Sequence, residues 1–190
     1  MKSTARNFAL LLACIAIAVF GLASNAVHAD GHEQPDWYEE DTPWEDLTPN
    51  QQKAKYTSYI DTIGDTIDTL TTRYKANKGK YDTDATALED AITAIGGAGA
   101  PGPLPAAPAN PPNLAGLAAF AAAFNTWLAA YNAWYAGLTD EQKAQLGPLK
   151  DALQDKYNRL AAIAVAIIDL KEARGQAESG LLAHCTHFDG

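Results

Sequence analysis

Two clusters, one near each end of the chain, carry the residue types best suited to chemistry. Val27-His28-Ala29 offers small residues at the minus-three and minus-one positions of a signal-peptidase site, so processing would leave a chain beginning Asp30-Gly31-His32. A free amine, two deprotonatable amides and an imidazole in third position make a square-planar, four-nitrogen site suited to Cu(II) or Ni(II). The amine is essential, and a retained leader abolishes the site. At the other end, His184-Cys185-Thr186-His187 gathers two imidazoles and a thiol, two or three potential ligands for copper or Zn(II). Adjacent residues rarely all reach one metal, so this cluster needs completion by His32 or by a symmetry copy. The same residues also fit a tail with incidental histidines, or a cysteine that forms an intermolecular disulfide after export. Cu(II), Ni(II) and Zn(II) are thus the candidate cofactors, and none is fixed.

Elsewhere the chemistry is sparse. Asp61, Asp65 and Asp68 share one helical face and could hold a cation, but no histidine or glutamate joins them and a solvated flank is expected. There is no His-Glu-x-x-His, no serine in a tight glycine elbow and no Cys-x-x-Cys. Ser179 and His184 have no motif around them, and carboxylates such as Asp151 and Asp155 are usual on a solvated helix. Enzymatic activity is therefore not expected.

Lys2 and Arg6, followed by the apolar run from Phe8 to Ala23, complete an export signal over residues 1–29; Cys14 lies inside its apolar core. Sixteen apolar residues are marginal for a membrane span, and no stable span is expected after processing. Removing the leader takes two basic and no acidic residues, which lowers the net charge from −9 to −11. That balance disfavours nucleic acid and anionic membrane surfaces as partners. Cys185 alone remains, so no intrachain disulfide can form. The remaining chain is long enough for one domain with a real core.

The elements that must position these residues read as helices throughout. Residues 30–46 form an acidic arm carrying Trp37, Tyr38 and Trp44, with Pro35 and Pro43 against a helix; the aromatics are expected to pack onto the body. Residues 47–183 form the helical domain. Thr48, Pro49 and Gln51 announce its first helix as cap, first-turn proline and capping-box partner. Tyr56, Ile60, Ile63, Ile67, Leu70 and Tyr74 then make a narrow seam at spacings of four and three. Gly79 is expected to break that helix, with a short one following over Asp84 to Ile95. Residues 96–112, nearly all glycine, alanine and proline, read as a flexible linker. Asn113 caps a central helix whose stripe is Leu117, Phe120, Phe124, Trp127, Tyr131, Trp134 and Leu138. Thr139 and Gln142 repeat the start signal, Gly147-Pro148 is expected to interrupt, and a last long helix carries Leu149, Leu153, Tyr157, Leu160, Ala164, Ile167 and Ile168. Between Leu160 and Ile168 it is apolar on nearly every side, which calls for more than one neighbour. Residues 184–190 are a tail. The fold class is all-α: three long helices and one short one, as a bundle or an elongated hairpin that dimerises, with a Gly/Ala/Pro-rich loop.

Leu47-Thr48-Pro49-Asn50-Gln51 and Leu138-Thr139-Asp140-Glu141-Gln142 both read LTxxQ. In an exported helical chain this resembles the periplasmic LTxxQ family of stress proteins, typified by the Spy and CpxP proteins. The resemblance implies an all-helical dimer with a concave surface, acting as an ATP-independent holding chaperone or as an inhibitor of envelope-stress sensors, with a metal-responsive branch. It covers the two pentapeptides only. The long interval between them, the strong acidity and the lack of methionine after residue 29 depart from the family pattern. Two functions are therefore carried forward. One is a periplasmic or secreted chaperone-like stress protein with unfolded clients. The other is a non-enzymatic structural or partner-binding protein of the envelope or secreted fraction, with a homodimer through Cys185 or helix packing.

Overall fold

The computed structural model describes residues 34–188; the leader and Asp30, Gly31 and His32 lie outside the described residues, as does the side chain of His187. Three long helices, α1 (Pro49–Ile95), α2 (Leu114–Ala136) and α3 (Asp140–Phe188), follow a single 3-10 turn at Trp44–Asp46, with no strand among the described residues. The all-α bundle expected from the periodicity is what forms.

Both LTxxQ segments act as capping boxes. The Thr48 backbone N–H donates to Gln51 Oε1 at 2.8 Å, and the Thr139 N–H donates to Gln142 Oε1 at 3.0 Å. The glutamine N–H returns to the threonine hydroxyl in each case, at 3.4 and 3.3 Å. Two donors with no partner inside the helix are thereby satisfied at each start. Asn113 caps α2 through the Gly116 N–H at 2.9 Å, and Gly137 ends it.

Two expected interruptions do not occur. α1 runs unbroken through Gly79, so the separate short helix over Asp84–Ile95 is instead its last third. A helical glycine costs only about 1 kcal/mol. Burying Tyr81 and Leu88 beyond it returns about 1.5–3 kcal/mol each. Lys78 and Asp82 also bridge the position at 2.6 Å. Likewise α3 continues through Gly147 and Pro148. Proline removes the donor that the Ala144 carbonyl would use, but Ala144 is exposed and water can serve it. Leu146 and Leu153, both fully buried, hold the helix on either side.

The chain divides into two compact units, Met1–Lys53 with Gly180–Gly190, and Ala54–Ser179. In the second, the buried stripe of α2 is Leu117, Phe120, Ala121, Phe124, Trp127, Tyr131 and Trp134. By length and composition α2 would pass as a membrane span; here its stripe meets α1 and α3. Phe120 lies edge-on to Tyr81 of α1 at 5.9 Å, and Phe124 stacks on Tyr157 of α3 at 4.0 Å. A Cβ on Gly97, just past α1, would stand 4.0 Å from Trp134 Nε1, so α2 runs in the same direction as α1. Tyr135 donates to the Lys143 carbonyl at 3.1 Å across the short turn at Gly137, which makes α2 and α3 antiparallel. The proline-rich stretch is the long crossing that this up, up, down order requires. Gly96, Gly97 and Gly99 take positive φ of 60°, 99° and 83°, a region open to glycine, and turn the chain back from the end of α1.

Candidate functional site

In the first unit the tail residues do not assemble into a metal centre among the described side chains. His184 is 2% exposed, and its Nε2 lies 3.0 Å from the Pro49 carbonyl oxygen. A carbonyl only accepts, so Nε2 carries the proton and offers no lone pair to a metal there. Nδ1 is buried as well. Cys185 is a half-buried free thiol. No group of three or more His, Cys, Asp or Glu side chains is placed to hold a metal among the described residues. Asp61, Asp65 and Asp68, in the second unit, are all exposed, as a solvated flank should be.

The aromatic arm of the first unit is packed. Tyr38 and Trp44 are buried with ring centres 5.1 Å apart, and Trp37 lies edge-on to both at 6.3 and 6.1 Å. Tyr38 donates to the Thr42 carbonyl at 2.8 Å, and the buried Gln52 side chain donates to the Trp44 carbonyl at 2.8 Å.

In the second unit, residues 96–112 are held through their backbone carbonyls. Trp127 Nε1 on α2 donates to the Gly102 carbonyl at 2.9 Å. On α1, Tyr81 donates to the Pro105 carbonyl at 2.9 Å, and Tyr74 donates to the Pro108 carbonyl at 3.2 Å. Glu89 accepts from the Leu104 N–H, and Ala107 is only 5% exposed. Burial pushes the Tyr74 hydroxyl up to about 12, with the nearby Asp82 charge adding to it. It pushes Tyr81 up further, helped by Asp82, Tyr157 and Glu89. Both hydroxyls therefore stay protonated as donors. The segment is a strap laid on the helices. The three bonded carbonyls stand three residues apart.

The helices also differ in length. α1 and α3 contain 47 and 49 residues and α2 only 23, about 70 Å of helix against about 35 Å. The cluster of Ile63, Ile67 and Ile167 draws on α1 and α3 alone, with Tyr59, Leu70, Ile163, Leu170 and Ala173 partly buried against it. Val165 and Ile168, on the same stretch of α3, are partly buried.

No family model, curated protein or solved structure matches this chain. Function must be argued from these surfaces. The two LTxxQ segments both act as helix caps.

Proposed function

We propose that this chain is a non-enzymatic partner-binding protein of the cell envelope or secreted fraction, which presents a two-helix face to another helical chain. The observation that carries this reading is the stretch around Ile63, Ile67 and Ile167. There α3 is apolar on nearly every side, and α1 supplies one neighbour to its cluster. A third helix laid on Val165 and Ile168 would supply the missing contact, and a second copy of this chain is the first candidate. The holding-chaperone reading asks for a broad exposed apolar surface. Among the described large apolar side chains only Leu114, at 40%, and Leu182, at 67%, count as exposed, which favours a defined partner over unfolded clients.

Sedimentation of the processed chain, beside a Val165→Lys/Ile168→Lys variant, tests the reading. The expected result is self-association, or capture of a helical partner, that the variant loses while its melting temperature stays within a few degrees. A chain that is monomeric in both forms, and protects an unfolding client equally well in both without nucleotide, would return the argument to the chaperone function.

A further inference from the structure

The strap over the second unit has the hydrogen-bond pattern of a recognised ligand. A polyproline II helix has three residues per turn and rises 3.1 Å per residue, so carbonyls three apart line one edge about 9.3 Å from each other. Gly102, Pro105 and Pro108 have that spacing, and their carbonyls accept from Trp127, Tyr81 and Tyr74. Tyr74 and Tyr81 are seven residues apart on α1, about 10.5 Å along the helix axis, close to one polyproline turn. The three aromatic donors therefore form a row in step with an extended proline chain.

The chemistry of the row matches what proline can offer. Proline has a carbonyl but no N–H, and the aromatic donors ask only for carbonyls. The Leu104 N–H donates to the Glu89 carboxylate. Ala107 settles inward between the bonded turns. Neutral aromatic donors on a preformed, low-entropy proline helix are the way in which aromatic-lined grooves bind proline-rich segments.

We infer that Tyr74, Tyr81 and Trp127 form a polyproline-reading groove that the chain occupies with its own residues 101–112, and that the same groove takes a proline- and alanine-rich segment of a partner when the strap lifts. This site is separate from the Val165 and Ile168 face and does not depend on it. The covalently attached strap competes at an effective concentration in the millimolar range, so the intact chain binds such a segment weakly and strap variants bind it better.

The test uses the full processed chain and a synthetic peptide of residues 101–112. In one variant those residues are replaced by glycine and serine at equal length; in a second, Pro105→Gly/Pro108→Gly, the strap keeps its length and most of its sequence. The expected result is saturable one-to-one binding of the peptide that shifts the Trp127 indole N–H resonance. Adding Tyr81→Phe should weaken it about fivefold, the worth of one net hydrogen bond, and replacing the peptide prolines by glycine should abolish it. A folded variant with no saturable shift at several millimolar peptide overturns the proposal, as does equal binding of the glycine peptide. Should both variants fail to fold, hydrogen exchange on the unmodified chain decides. Lifting of the strap requires the Leu104 amide and the Trp127 indole N–H to exchange at least tenfold faster than the slowest α2 amides. Exchange of both only at the rate of global unfolding overturns it.

Discussion

The imidazole of His184, near the end of α3, holds its Nε2 3.0 Å from the carbonyl oxygen of Pro49, the first residue of α1. A polar side chain 2% exposed is worth keeping in a fold only when it bonds. His184→Ala should therefore lower stability by about 1–3 kcal/mol, the cost of a cavity and of the lost hydrogen bond. His184→Gln, whose amide can reach the same oxygen, should lose less. Urea unfolding of the three chains checks the order, and equal losses would show that shape matters there and the bond does not.

The two capping boxes make a second prediction. Thr48→Ala and Thr139→Ala remove the hydroxyl that receives the glutamine N–H at each start. Each should cost about 1 kcal/mol. The two sites share no bonding partner, so the double variant should lose the sum within about 0.5 kcal/mol. Thermal melts of the single and double variants measure it.

The unbroken α1 can be tested at Gly79. A Cβ built there meets nothing within 4 Å, and the position is exposed. Gly79→Ala should raise stability by about 0.5–1 kcal/mol, because alanine favours the helix and restricts the unfolded chain. A neutral or negative result would mean that the backbone at this position is not helical in solution.

These sites also show where sequence reading works and where it stops. Thr48 and Thr139 were legible because a capping box is a local device, complete within four residues. The α2 stripe was legible because alanine filler leaves its aromatics nothing to do but pack. Gly79 and Pro148 misled because local punctuation is weak against burial on both sides of it, at Tyr81 and Leu88 in one helix and at Leu146 and Leu153 in the other. The strap was read as a linker because backbone carbonyls, identical at every residue, carry its attachment. The contact of His184 with the Pro49 carbonyl was not legible because it joins residues 135 apart in the chain.

Alkaline pH should unfold this protein by a definite route. Burial raises the tyrosines at 56, 74, 81, 131 and 157, with Tyr74 reaching about 12. Above pH 10 the unfolded chain releases phenolic protons that the folded chain retains, so stability is complete below pH 10 and falls as pH rises toward 12 and beyond. Absorbance at 295 nm should show this buried set titrating only together with loss of helical circular dichroism. Buried tyrosines that titrate near pH 10 with the helices intact would contradict this packing.

The core tyrosines separate into two kinds, and phenylalanine substitution should move them in opposite directions. Tyr81 spends its hydroxyl on the Pro105 carbonyl, so Tyr81→Phe leaves a half-buried acceptor without its donor and should cost about 1 kcal/mol. The hydroxyls of Tyr131 and Tyr157 are buried with no hydrogen-bond partner among the described residues. Their rings remain valuable: Tyr157 stacks on Phe124 at 4.0 Å, and Tyr131 on Trp127 at 5.2 Å. Removing only the oxygen keeps that stacking and relieves the desolvation of an unpaired group. Tyr131→Phe and Tyr157→Phe should therefore be neutral or stabilising by up to about 1 kcal/mol in urea unfolding. A clear loss at either position would mean that its hydroxyl is bonded in solution, with an internal water as the simplest partner.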